Sequence, residues 1–412
     1  MLSGLERKNK EALKFRLKGD QSMTAVLIKN YSNRPIRSER GRNMKNPIVI
    51  VGAGLSGLRA AALLTEKGIK CRVLEARDRI GGRVLSTSDP FRSDLGKFDL
   101  GPTWFWPQYE TTITRLVKEL NLGTFVQYNN GAMLLERFEN RPPERYVIPE
   151  NSDARSIRIV GGVQSLIDAI ADTIPSGVVE LNTRVTAIRL DKAGAITVEA
   201  DLADGKRKEV PAAAVILALP PRIVARHIEF SPSLPPNLMT DLVNKPTWMA
   251  GQAKAVAIYD RPFWRDLGLS GFVSSWVGPL QEIHDASPDT GTGALFGFFG
   301  MPAKMRRELG EDKILKLVID QLVRLFGPLA QNVSAILYKD WSQDSETAVE
   351  EDFDPLREFP SYGQPPKAEV WEKKIIFAGT ETNSQFGGHL EGALQSAEQA
   401  VFEMIHLNNK HV

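Results

Sequence analysis

The sequence predicts an α/β protein with one discontinuous domain and a second, α+β domain. Three observations predict it. An apolar run over 48–51 meets Gly52, Gly54 and Gly57 in G-x-G-x-x-G spacing, and a helical pattern follows over 58–67. Near the other end, KIIFAGTETN (374–383) reads as a strand into a turn, with a long helix near 387–406. Between them lie several strand-prone segments. A strand–turn–helix unit at each terminus closes as a single domain, and the middle of the chain supplies the other.

Each element has a physical reason. Gly52 permits the tight turn, Gly54 lets backbone approach a pyrophosphate, and Gly57 lets helix and strand pack closely. Leu55 and Ser56 then fall in the first turn of a helix, whose N-terminus offers unpaired N–H groups to phosphates. A second strand, 71–74, ends at Glu75, 18 residues beyond Gly57. A carboxylate there accepts hydrogen bonds from ribose hydroxyls. Strand, turn, helix and acid together make a Rossmann-like dinucleotide site.

Downstream, 85–108 is irregular and rich in Gly, Pro and aromatics. Amphipathic periodicity predicts a helix over 110–120, then a short polar β-like stretch to about 150. Gly161 and Gly162 open a helix over 163–174. Strands are predicted at 178–182, 184–190, 195–202 and 213–219, with the turn signals DKAG and ADGK suggesting a meander. The last of these is apolar throughout, as a central strand requires. A strand at 252–259, helices at about 302–309 and 311–326, a strand at 333–341 and a Pro- and charge-rich loop over 342–370 complete the order.

Composition narrows the function. Residues 1–43 hold 11 Lys+Arg against 4 Asp+Glu, and the remainder 41 against 46. The body is mildly acidic, so nucleic acid is not an expected partner. The basic leader lacks the apolar core of a secretory signal and is expected to be a mobile or loosely docked extension. No run approaches the ~20 apolar residues of a membrane span. Cys71 is the single cysteine. This excludes an intrachain disulfide and fits a reducing, cytoplasmic setting. The five histidines show no metal-ligand spacing.

The N-terminal block continues as Glu75-Ala76-Arg77 and Gly81-Gly82-Arg83. FDLGPTWFWP occupies 98–107, and FAGTETNSQFGGHLEGALQSAEQA occupies 377–400. Over about 47–405 the chain resembles the flavin-containing amine oxidase family, which includes monoamine and polyamine oxidases. The resemblance implies a non-covalent FAD. Gly52, Gly54, Gly57, Glu75, Arg77, Gly82 and Arg83 would hold its adenosine, pyrophosphate and ribityl parts. Gly101, Pro102, Thr103 and Trp104 would lie near the flavin ring. Val185 would meet adenine, Gly379, Thr380 and Glu381 the phosphates and ribityl chain, and Leu390 would offer its N–H near the ring.

Lys254 interrupts an apolar strand and stands ten residues before the tryptophan of Pro262-Phe263-Trp264. That spacing matches the family lysine that holds a water at the flavin. Read alone, it fits better an edge-strand lysine reaching solvent. Trp341 resembles the tryptophan packed beside that lysine, or is an ordinary core aromatic. Two departures stand out. The 342–374 loop has no cysteine for covalent attachment. The family's paired tyrosines are replaced by His389 and by the non-aromatic 348–352. His389 either touches substrate or completes the site wall. Trp104, Trp106 and Phe386 either rebuild an apolar wall or pack a core.

The implied division is a basic extension over 1–43, an FAD-binding domain from 44–90, 157–243 and 342–412, and a substrate domain from 91–156 and 244–341. The implied reaction is oxidation of an amine C–N bond with oxygen as acceptor, in a chain that is a candidate homodimer. An FAD-dependent desaturase or isomerase on the same scaffold is the alternative.

Overall fold

The apolar run before the glycines forms the strand Ile48–Val51, buried at every residue. It sits at the centre of a five-stranded parallel sheet in the order Ile375–Phe377, Ala214–Leu217, Ile48–Val51, Cys71–Leu74, Val179–Glu180. The computed structural model describes residues 45–147, 155–354, 356 and 358–409. The leader and the stretch around Glu150 lie outside them. Residues 44–412 form one compact unit.

Ala214–Leu217 joins the two ends of the chain. It pairs with the first strand on one side and with Ile375–Phe377 on the other. On one face, helix Leu55–Glu66 packs against helix Leu390–Asn409 through fully buried Leu58, Leu64, Leu394 and Ala397. Each such leucine contributes roughly 1.5–3 kcal/mol. The helix begins three residues earlier than the periodicity predicts, because Gly54 already serves as its N-cap. Helix Thr111–Glu119, expected with the second domain, buries Ile113, Leu116 and Val117 in this same core.

The predicted meander is present in its middle, where Thr183–Leu190 pairs antiparallel with Ile196–Leu202. Arg207–Ala212 and Glu229–Ser231, neither expected, complete a four-stranded sheet, and the outer two predicted strands lie in the parallel sheet instead. A seven-stranded sheet forms the other wall, ordered Ala335–Asp340, Ala253–Tyr259, Gly293–Phe299, Leu280–Asp285, Leu269–Ser275, Ala132–Glu136, Glu144–Val147. Helix Glu311–Phe326 covers it with Ile314, Val318 and Leu322. Helices Pro221–His227 and Pro236–Asn244 were not expected. Each opens on a proline at its start, where the missing N–H costs nothing. Among the described residues no helix is long and apolar enough to cross a membrane.

Candidate active site

The parallel sheet and the seven-stranded sheet border one cavity of about 300 Å3. Its floor is the glycine turn. Gly52 adopts φ +99°, and a Cβ there would meet Ala218 O at 2.8 Å. A Cβ on Gly57 would lie 1.9 Å from Gly52 O, so helix and turn touch directly. Gly54 differs. Its backbone is extended, and a Cβ would come no closer than 4.0 Å to any protein atom. Protein packing does not demand glycine at 54, whereas close approach of a ligand to its backbone does.

The Glu75 carboxylate is buried and fixed. It accepts from Ala53 N–H at 2.7 Å and from Arg77 N–H at 3.0 Å. Arg77 turns away to Asp344 (2.5 Å) and Thr347 (2.8 Å). Ala76 and Val185 line a smaller cavity that shares Gly52, Glu75 and Arg77 with the main one. Gly379 N–H donates to Ser56 Oγ (3.0 Å) and Ser396 Oγ (3.1 Å), clasping the two termini together. Arg83 makes a bidentate pair with Glu381 (2.6 and 3.0 Å). Burial alone would lower the guanidinium's pKa, but that carboxylate overrides it and holds the value above its ordinary level. An open approach at Gly54, a helix start with unpaired N–H groups and a fixed carboxylate at the second strand fit a dinucleotide.

Lys254 stands on the opposite wall. Its strand is flanked on both sides, so it is no edge, and its side chain is buried. Nζ donates to Gly101 O at 3.0 Å and Thr103 Oγ1 at 2.6 Å, and lies 3.9 Å over the Phe296 ring. Burial pushes its pKa down to about 7, against a partial upward pull from Asp99. Trp341 Nε1 donates to Leu100 O at 2.9 Å. The turn carrying Trp341 is fixed by Asp340, which caps it and is itself held by the buried Arg306 at 2.8 and 2.9 Å.

His389 reaches the cavity between two motifs. Its Nδ1 is 2.9 Å from Glu110 Oε1. The Trp106 ring lies 5.7 Å from the imidazole, centroid to centroid, tilted by 45°. Pro102, Trp104, Trp106, Gly82, Thr380 and Leu390 also line the cavity, but Phe386 does not. Nor does Glu381, which acts on Arg83. The 348–352 segment stays outside, with Asp352 engaged by Arg222. Sequence reasoning missed Trp248, Phe296, Phe298 and Glu110 as wall residues. Phe296 and Phe298 sit two apart on one strand, and that alternation was their only signal.

Fold and cavity define a dinucleotide-dependent oxidoreductase with a buried lysine facing its cofactor groove. The model of the flavin containing amine oxidoreductases matches residues 148–405, and that of NAD(P)-binding Rossmann-like domains matches 50–120. The chain belongs to the flavin containing amine oxidoreductases, FAD enzymes that oxidise amines. It is similar to the probable flavin-containing monoamine oxidase A of Dictyostelium discoideum, 26% identical over 85% of this chain and 95% of that protein. It is also similar to putrescine oxidase of Kocuria rosea, 24% identical over 88% and 95%. Wild-type putrescine oxidase bound to putrescine shares the fold, with TM-score 0.71 and 21% identity over 88% of this chain and 99% of that one. Cyclohexylamine oxidase from Brevibacterium oxydans IH-35A gives TM-score 0.71 and 20% identity over 88% and 99%.

Proposed function

We propose that the protein oxidises the C–N bond of a small-molecule amine to an imine, which hydrolyses to a carbonyl compound. The buried lysine opposite the glycine turn carries this reading. The chemistry that bound FAD would supply is two-electron oxidation of the amine at its α-carbon, with the electrons delivered to molecular oxygen as hydrogen peroxide.

The chain's own residues do the rest. Gly52, Gly54, Leu55 and Ser56 would present backbone to the pyrophosphate, with Gly57 holding the helix in place. Glu75 would hold the ribose, with Ala76 and Val185 at adenine. Gly82, Arg83, Gly379 and Thr380 would frame the middle of the cofactor, with Arg77 beside Glu75 and Glu381 fixing Arg83. Gly101, Pro102, Thr103, Trp104 and Leu390 would border the ring. Lys254 spends two of its hydrogen bonds on Gly101 and Thr103 and keeps the remaining capacity for a water in the cavity. Trp341 and the aromatic wall exclude bulk water and orient the substrate. Cys71, the single cysteine, is buried beneath Ala61 and away from the cavity, which supports non-covalent attachment.

The division into a cofactor part and a substrate part belongs to the same proposal, with helix Thr111–Glu119 moved to the cofactor part. So do a cytoplasmic location and a homodimeric state, both of which await localisation and light-scattering measurements. The desaturase or isomerase alternative loses ground to the family assignment and to Lys254. A purified sample is expected to be yellow, to bleach anaerobically with at least one amine of a panel, and to release peroxide in air. A yellow protein that no amine bleaches would sink the reading.

A further inference from the structure

The structure assigns a proton-accepting dyad for the substrate ammonium: His389 as the acceptor and Glu110 as the residue that positions it. The inference rests on the amine reading above. A protonated amine has no lone pair on nitrogen with which to support loss of a hydride from its α-carbon, so its proton must go somewhere first. Around His389 the wall is aromatic, with the Trp106 and Phe359 rings 5.7 and 6.4 Å from its own, while the other titratable groups on the cavity, Glu75, Arg77, Arg83, Lys254 and Glu346, line it elsewhere.

Glu110 is built into place. Its carboxylate is buried, and Oε2 accepts from Trp106 N–H at 2.7 Å. Its own N–H donates to Trp106 O at 2.8 Å, and its C=O accepts from Thr114 Oγ1 at 2.6 Å. The helix that follows is pinned from beneath, because the buried Glu391 carboxylate accepts from Thr112 N–H (3.0 Å) and Ile113 N–H (2.8 Å). Oε1 remains for His389 Nδ1 at 2.9 Å. The histidine backbone is equally fixed, with its N–H on Phe386 O (3.1 Å) and its C=O accepting from Thr380 Oγ1 (2.8 Å).

A carboxylate only accepts, so Nδ1 carries the hydrogen in that pair. The hydrogen bond made by one ring nitrogen sets the state of the other. Nε2 is then the lone-pair nitrogen, and it has no protein partner among the described residues. The step balances simply. One N–H bond of the ammonium breaks, one N–H bond forms on Nε2, and the amine keeps the electron pair. The resulting imidazolium faces the Glu110 carboxylate. With a side chain 34% exposed, it can return the proton to solvent.

The test uses holoenzyme and two amine sets at pH 8: strongly basic amines, which are protonated there, and fluorinated analogues that are already neutral. Glu110→Gln and His389→Gln are expected to slow anaerobic flavin bleaching at least about 30-fold more on the first set than on the second. A merely structural role would slow both sets alike, and that result overturns the dyad. Binding gives a second readout. An amine on a tertiary carbon has no α-hydrogen and cannot react. Its affinity relative to the isosteric alcohol, followed by the shift of the visible band, is expected to fall about tenfold in Glu110→Gln. An unchanged ratio also overturns the dyad. Wild-type holoenzyme that no amine bleaches overturns the amine reading and the dyad with it.

Discussion

Lys254→Met is expected to retain FAD and to slow anaerobic bleaching by a saturating amine by about 100-fold, the order of loss when reacting groups are no longer held in place. The variant removes the one side chain whose nitrogen enters the cavity from the seven-stranded sheet, while methionine fills nearly the same volume. Stability is expected to move the other way. In the unfolded chain the lysine titrates near 10.5, and in the folded protein near 7, because burial disfavours its charged form. Between those values the unfolded chain binds a proton that the folded chain does not. The residue's penalty is therefore absent above about pH 10.5 and grows as pH falls toward 7. The gap bounds it at roughly 5 kcal/mol. Replacing a buried ion pair by well-packed apolar groups is often stabilising by about 1–4 kcal/mol, and removing this lone buried amine is expected to act in the same direction. Urea unfolding of the apoprotein checks this. The variant should exceed wild type at pH 7.5, and the excess should shrink by pH 10. An excess that stays constant with pH would show that Lys254 does not titrate as its burial requires.

The elements that were legible in the sequence are those whose function imposes a local pattern. The glycine turn, its flanking strand and the acid at Glu75 are contiguous, so the spacing of residues 48–75 already contained the turn that floors the cavity. The same holds for 377–400, where Gly379, Thr380 and Leu390 fall along the cavity. Lys254 was legible through its ten-residue spacing to Trp264, which matches the family, since by itself a cation in an apolar strand reads as an edge lysine reaching solvent. The seven-stranded sheet was only half legible. Strands Leu269–Ser275 and Gly293–Phe299 carry Gly271, Gly293 and Gly297, and Leu280–Asp285 is largely polar, so alternation is broken where the strands run. A Cβ at Gly293 would press on Arg261, and one at Gly297 on Leu280, which is why those positions are small. Glu110 was illegible for a different reason. Its partner lies 279 residues away, and an acid before an amphipathic helix looks like an ordinary surface residue until the chain closes. The sequence carries no tyrosine at the positions where the resemblance would place the pair. What stands there is an imidazole on a carboxylate, with Trp104, Trp106, Phe296 and Phe298 around the cavity.

Gly57→Ala and Gly54→Ala, three residues apart in one motif, are expected to fail in opposite ways. At Gly57 the new methyl would sit 1.9 Å from Gly52 O and 3.3 Å from Ala218 Cβ. The backbone oxygen cannot yield without opening the turn, and helix Leu55–Glu66 cannot back away without unpacking Leu58 from the sheet. Overpacking of this kind costs at least about 3 kcal/mol. It should appear as a lowered urea midpoint in apoprotein and holoprotein alike. At Gly54 the methyl would meet nothing closer than Gly81 O and Gly82 Cα, both at 4.0 Å, and the backbone there suits any L residue. Apoprotein stability should be unchanged or raised by about 0.4–1 kcal/mol, since alanine restricts the unfolded chain. The loss should fall on FAD instead, because the methyl projects where backbone must approach the pyrophosphate. Retention of cofactor through desalting, read from the visible spectrum, should drop sharply in Gly54→Ala despite its intact fold. If that variant kept its colour, the cavity floor would not be where the pyrophosphate lies. A Gly54→Ala apoprotein as unstable as Gly57→Ala would mean that packing, and not ligand approach, requires the middle glycine.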